Sequence, residues 1–279
     1  MASTDDLPPL NHSQEFQLTQ SPNPQWHYGQ KVADTPEGRA WMEGEKAGWK
    51  VVDTAKEDPM KVYSLMNSGI VPRPIAFVST VSESGVENIS PFSWFNMVTQ
   101  NPPLVFISCT NGPKRVKDTT SNIKSTKGFT VNLISEPWVE AANACSIDAP
   151  SGVSEWPLSG LTKEPSIHVK APRVKESAFS MECELYQAIE IVHPDTGVNT
   201  NTMILGLVKY IHVRKDILNE RDTVDPAKFK VVGRLSGLAY AHIESAYTLK
   251  RPVWAEEEKR IQAALSGSSS GGKLKYCHH

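Results

Sequence analysis

Residues 88–100 read N-I-S-P-F-S-W-F-N-M-V-T-Q, and the rest of the chain is legible outward from them. Two hydroxyls (Ser90, Ser93), two side-chain amides (Asn88, Asn96), a proline (Pro91) and three aromatics (Phe92, Trp94, Phe95) follow directly on a segment that reads as a β-hairpin. A plain core strand has no use for this mixture. It suits a flat ligand with a polar rim, whose faces the rings cover while hydroxyls, amides and backbone N–H groups bond the edge or a phosphate. Two flanking pieces, V-P-R-P-I-A at residues 71–76 and K-D-T at residues 117–119, each bring a cation to the same neighbourhood if the intervening strands pair.

Upstream, Pro72 and Pro74 push their predecessors out of the helical region after a short helical turn at V-Y-S-L-M. Residues 75–81 then form a strand, S-E-S-G a turn, and residues 86–89 the start of the partner strand. Downstream the pattern predicts a strand over 104–109, an amphipathic helix over 114–124 carrying Val116, Thr120 and Ile123, and a strand over 129–134. A middle section, residues 135–175, holds a short helix near 138–144 and a Pro/Ser/Gly-rich excursion. Strands resume at 180–192 and 202–213 across the turn H-P-D-T-G-V, and residues 231–235 pair with S-G-L-A-Y. At least six short strands with helices inserted among them argue for a mainly β fold, a closed antiparallel barrel, over a doubly wound sheet. Closure also removes exposed edges.

Both ends are different in kind. Residues 1–34 are polar and carry four prolines, which leaves them without a core of their own. Residues 35–50 predict a short helix with a Thr cap and a following proline; its Trp41 and Trp49 are either anchors on the main domain or a partner subunit, or part of a loose arm closing a pocket. A polar helix over 255–265 and the linker S-G-S-S-S-G-G end the chain.

A formal net charge of −2 gives no electrostatic footprint for nucleic acid or an anionic membrane. No apolar run reaches the roughly 20 residues a bilayer requires, and the N-terminus has no signal-peptide core, so the expected address is the cytoplasm. Cys109, Cys145, Cys183 and Cys277 are too widely spaced for a zinc site or a disulfide framework, and the Cys277-His278-His279 tail reads as exposed. His168, His193, His212 and His242 lack metal-ligand spacing, so no metal is expected; His193 and Asp195, in a turn, are the weak acid/base candidates. No Gly-rich dinucleotide fingerprint follows a strand.

Six pieces in fixed order carry a resemblance: V-P-R-P-I-A-F-V-S-T, N-I-S-P-F-S-W-F-N, N-P-P-L-V-F-I-S, K-D-T-T-S-N-I, F-T-V-N-L-I and R-L-S-G-L-A-Y. Together they resemble the flavin reductase-like, flavoredoxin-type branch of the FMN-binding split barrels, which have the pyridoxamine-phosphate-oxidase-like fold. The resemblance implies a six-stranded antiparallel Greek-key barrel over residues 60–252, between an N-terminal extension (1–59) and a C-terminal helix and tail (253–279). It further implies a homodimer with FMN, or alternatively FAD, in a groove near the subunit interface. Arg73 and Pro74 fall beside the flavin or its phosphate, and Asn88, Ser90, Pro91, Phe92, Ser93 and Asn96 along the isoalloxazine and ribityl chain. Lys117, Asp118 and Thr119 fall at the phosphate, where a dianion meets a cation, hydroxyls and helix-terminal N–H groups, with Asp118 as an orienting group.

The implied activity is hydride transfer from NAD(P)H, bound transiently over the flavin, and onward to a flavin, a protein, oxygen or a small organic acceptor. The cofactor does the chemistry, so no catalytic side chain is assigned. Two other readings stand beside it: a redox enzyme for a specialised metabolite, with the N-terminal arm and residues 135–175 as a lid, and a non-catalytic flavin- or haem-binding carrier or sensor. Each site residue also has a plainer reading. Arg73 then pairs with a surface acid, Ser90 and Ser93 cap turns, at least one of Phe92 and Phe95 is core, and Lys117-Asp118 is a solvated helix face. Trp94 either points outward or narrows access to the ring.

Overall fold

Residues 75–80 are buried without a break, which a strand can be only when both its faces are covered. In the computed structural model, which describes residues 7–11, 15–112 and 115–268, this strand is β1 (Ala76–Val81). Ala76 and Val78 enter one core with Phe92, Phe95, Ile107, Phe129 and Ile204. Ile75 and Phe77 enter a second with Ile89, Trp138, Trp156 and Val174. Each large apolar side chain so buried contributes about 1.5–3 kcal/mol.

Around β1 run β2 (Glu87–Phe92), β3 (Phe95–Gln100), β4 (Pro103–Thr110), β5 (Gly128–Leu133), β6 (Phe179–Val192) and β7 (Asn199–Val213). They form a single sheet in the order β2-β1-β5-β6-β7-β4-β3, every neighbouring pair antiparallel. The sheet thus has seven strands, not the six expected. The additional one is β3, which the sequence reading absorbed into the ligand-binding stretch.

β2 and β3 are the outermost strands of the sheet, yet only Ser93 and Trp94 separate them along the chain. Three residue steps reach about 10 Å at most, so the sheet has to curl until its two edges meet at that link. The ladder does not close there: among the described residues β2 and β3 share no pairing, and the Trp94 carbonyl instead accepts from Ser108 N at 2.9 Å. The result is a barrel with an open seam. Its wall is tight opposite the seam, where a Cβ on Gly206 would lie 2.5 Å from Phe129 Cζ.

Residues 135–175 are packed onto the barrel and do not form a free lid. Trp138, Ala142, Cys145, Trp156 and Val174 are all buried against the outer face of β1 and β2, with the Trp138 ring 5.8 Å from that of Phe77. The section carries α3 (Val139–Ala144) and α4 (Trp156–Ser159). Its far side is pinned by Glu182, fully buried on β6, whose two oxygens accept from the Ile167, His168 and Val169 N–H groups and from His212 Nε2.

Ahead of β1, the expected helical turn is an eleven-residue helix, α1 (Pro59–Gly69). The expected helix over 114–124 is α2 (Asp118–Thr126); Val116 precedes it and is exposed, and Lys114 lies outside the described residues. Two short strands, β8 (Val232–Arg234) and β9 (Tyr240–His242), form the final pair, but of the expected partner S-G-L-A-Y only Tyr240 belongs to β9, residues 236–239 making the turn between the strands.

Residues 59–243 form one compact unit, so its C-terminal limit lies nine residues before the expected 252. The second unit joins the described residues of 1–58 to 244–268: Gln17–Thr19 pairs in parallel with Ser245–Tyr247, Pro36–Met42 is a helix with Thr35 accepting from Gly38 N, and Trp254–Ser268 is the last described helix. The remainder of the predicted linker and the Cys277-His278-His279 tail lie outside the described residues. No helix among the described residues is long and apolar enough to cross a membrane.

Candidate functional site

The polar residues singled out from the sequence gather at the two ends of β2. At its C-terminal end, Arg73 is buried and bridges three elements. Its Nη1 donates to the Asn67 and Ile70 carbonyls at 2.7 Å each, finishing the last turn of α1; Nη2 donates to the Leu235 carbonyl at 3.0 Å; and Nε donates to Ser93 Oγ at 3.3 Å. Its main chain forms a bridge with Arg234. Burial, reinforced by the Arg234 charge, lowers the Arg73 pKa. With its fork given to main-chain carbonyls, Arg73 orients Ser93 and does not offer an open clamp for phosphate. Ser93 accepts from Arg73 and therefore keeps its own O–H free to donate.

Ser90 pairs across the sheet with Val78, on the face that lines the barrel core. Pro91 is partly exposed, and Pro74 is exposed beside Arg73. Phe92, expected against the cofactor, is buried in the core together with Phe95, each 8% exposed. Asn96 is exposed on β3, its Oδ1 accepting from Met97 N. Trp94 leans edge-on to Tyr63 of α1, ring centroids 6.4 Å apart.

At the N-terminal end of β2, Asn88 is a buried link and not an open ligand group. Its Nδ2 donates to Glu155 Oε2 at 2.7 Å and its Oδ1 accepts from Thr119 Oγ1 at 2.9 Å. Ile89 N donates to the same Glu155 oxygen at 3.2 Å. Burial outweighs these bonds and raises the Glu155 pKa. Glu182 shows the reverse: burial pushes its carboxyl up, but the N–H groups of Ile167 and His168, the His212 ring and the Val169 N–H together hold it below the usual range.

Thr119 lies in the first turn of α2, so Asn88 fastens that turn to the barrel. Lys117 is the residue before the helix, extended and half-buried, its Nζ 3.8 Å from Asp148. Asp118 accepts from Ser151 at 3.1 Å and from Arg115 at 3.4 Å. Arg115 is the cation that sequence reasoning missed, because nothing in K-R-V-K-D sets it apart from its neighbours. Ser82, Ser84, Asn88, Asn122 and Ser151 enclose a small polar recess of about 110 Å³ over Asp118.

The other titratable candidates are built into the fold. His193 Nδ1 accepts from the Asp195 and Thr196 N–H groups and so caps its turn. His168 bonds Glu184 and His242 bonds Glu136. Burial raises Cys109 to about 11 and Cys145 to about 12, and pushes Cys183 higher still, so none of these three is a thiolate at neutral pH. Among the described residues no cluster of three metal-ligating side chains occurs.

The chain has counterparts among known proteins. An uncharacterised protein of Aquifex aeolicus is 41% identical over 180 residues, covering 64% of this chain and 88% of its own length. The structure of nitrilotriacetate monooxygenase component B from Bacillus cereus superposes with a TM-score of 0.70 at 30% identity, covering 72% of this chain and 99% of that one. That of the 2-nitrobenzoate 2-nitroreductase NbaA from Pseudomonas fluorescens does so with a TM-score of 0.64 at 28% identity, covering 74% and 98%. The model of the flavin reductase like domain matches residues 66–242, which take in the barrel, the Arg73–Ser93 clamp and the start of α2. The chain belongs to the flavin reductase like domain family.

Proposed function

We propose that this protein is an FMN-dependent oxidoreductase that takes a hydride from NADH or NADPH and passes the electrons to a flavin, a protein, oxygen or a small organic acceptor. The observation that carries this reading is the layout along β2. A clamped hydroxyl, Ser93, stands at one end and the cation-flanked start of α2 at the other. Five residue steps of strand separate Asn88 from Ser93, roughly 16 Å, a span that suits an elongated ligand with a ring at one end and a phosphate at the other.

Bound flavin supplies the two-electron hydride exchange. Ser93 presents its free O–H, in a position fixed by Arg73, to the polar rim of the ring, and Asn96 offers an exposed amide from β3. At the other end Lys117 and the first N–H groups of α2 neutralise a phosphate. A single cationic mouth favours the monophosphate FMN over FAD. Thr119 and Asn88 contribute indirectly, by holding the α2 start in register with β2.

The assembly we assign is a homodimer in the cytoplasm. Trp94, Met97 and Val98 are 37%, 69% and 49% exposed on or beside the outermost strand β3, where apolar surface on an unpaired edge favours a second copy of the chain. The names of two structural relatives, a monooxygenase component and a nitroreductase, make a partner enzyme and a small nitroaromatic the first acceptors to test.

Protein purified and reconstituted with FMN is expected to show flavin absorbance that bleaches when NADH or NADPH is added without oxygen. Flavin bands that neither nucleotide bleaches would support a carrier in place of a reductase, and a Soret band would replace flavin with haem.

A further inference from the structure

Residues 145–155 form a strap fastened at both ends. Cys145 is fully buried, and Glu155 is held by Asn88 and the Ile89 amide. Between these anchors the strap crosses the start of α2. Asp148 lies 3.1 Å from Arg115 Nη2 and 3.8 Å from Lys117 Nζ, while its own side chain is 82% exposed. Arg115 Nη2 also donates to the Ala149 carbonyl, and Nη1 to Asp118. Ser151 ties the strap to Asp118 on the other side.

Among the described residues the mouth carries two cations, Arg115 and Lys117, and two carboxylates, Asp118 and Asp148, with the buried Glu155 carboxyl, which Asp118 helps to raise, behind them. The two carboxylates are not equivalent. Asp118 is the first residue of α2 and receives both Ser151 and Arg115, whereas Asp148 is solvated and makes only the two cation contacts. Exposed ion pairs contribute little to stability, so the strap gains almost nothing in folding energy from Asp148. The placement has a different consequence: a carboxylate lies where an incoming dianion meets both cations together. Gly152, at φ 86°, bends the strap between Ser151 and Glu155, and because the Asp148 side chain is solvated while Ala149 is buried, Asp148 can leave the cations by side-chain rotation alone.

We propose that Asp148 is an internal competitor for the flavin phosphate and that Arg115, once released from it, is the second phosphate-holding cation beside Lys117. This rests on the flavin reading given above. Asp148 then sets how tightly a phosphorylated flavin is held, and leaves the binding of the ring unchanged.

Titration of FMN and of riboflavin, which has the ring but no phosphate, into wild type, Asp148→Asn and Arg115→Gln separates these roles through quenching of flavin fluorescence. Asp148→Asn is expected to bind FMN about two- to fivefold more tightly than wild type, the worth of an exposed ion pair, with riboflavin unchanged. Arg115→Gln is expected to bind FMN about tenfold more weakly, again with riboflavin unchanged. Equal FMN affinity in wild type and in both Asp148→Asn and Asp148→Ala, or a parallel gain for riboflavin, overturns the proposal while the flavin reading stands. Wild type that binds neither compound overturns the flavin reading and this inference with it. Asp148 is too exposed for its loss to unfold the chain, and matching thermal transitions verify this.

Discussion

Both ends of β2 present cations, and Arg73 at one end and Lys117 at the other are used in opposite ways. Arg73 is buried, and four of its hydrogen bonds go to Asn67, Ile70, Leu235 and Ser93. Lys117 is half-buried, with its side chain 42% exposed, and its ion pair among the described residues is a long one to Asp148. An arginine whose fork already serves main-chain carbonyls belongs to the scaffold, whereas a lysine facing a solvated carboxylate is free to exchange that partner for a ligand. The difference separates residues that position a site from residues that touch what it binds.

Replacing the scaffold cation is expected to have the largest effect on stability. Arg73→Ala leaves the Asn67, Ile70 and Leu235 carbonyls without their donor and opens a buried space, at a cost of about 3 kcal/mol or more. Urea denaturation measures it. A cost below about 1 kcal/mol, coupled to loss of flavin, would move Arg73 from the scaffold to the ligand site.

Two buried carboxylates extend the comparison, with opposite signs. Glu182 has a lowered pKa, so the unfolded chain binds the proton more readily. Its stabilisation is complete above the unfolded value and is lost as pH falls through the folded one. Glu182→Gln is expected to cost about 2–3 kcal/mol at neutral pH, a gap that narrows on acidification. Glu155 has a raised pKa: between its unfolded and folded values the native state binds more protons, so stability falls as pH rises through that window. Glu155→Gln keeps an acceptor for Asn88 and Ile89 but removes the charge. A gain of up to about 1 kcal/mol at neutral pH, vanishing in acid, is the expected result. Stability curves from about pH 2 to 8, in about half-unit steps, distinguish the two; parallel curves would contradict these assignments.

The barrel was readable in the sequence because its strands announce themselves through alternation and β-branched residues, as in Leu205, Leu207 and Ile211. β3 was not, because F-N-M-V-T-Q carries polar residues and is largely exposed, so it looks like a binding loop until the sheet order places it at the seam. α1 was reduced to a turn because its residues bury no face. Within the site, the pattern marked the right neighbourhood but could not say which polar atoms were already engaged. Asn88 meets Glu155 from 67 positions away and Thr119 from 31. No local pattern reports such partners. Arg73 likewise reads as a ligand cation between two prolines until its contact with Leu235, 162 positions on, is seen.

Lys117 completes the series as the smallest effect on stability and the most direct test of the account. Lys117→Ala is expected to change folding stability by no more than about 0.5 kcal/mol, since the side chain is partly in solvent and its ion pair with Asp148 is long. Its effect falls on the ligand: the ratio of FMN to riboflavin affinity, measured by titration, should drop about tenfold from wild type. A ratio left unchanged by this substitution would remove the start of α2 from the phosphate site and contradict the reading of β2 as the axis of a flavin-binding groove.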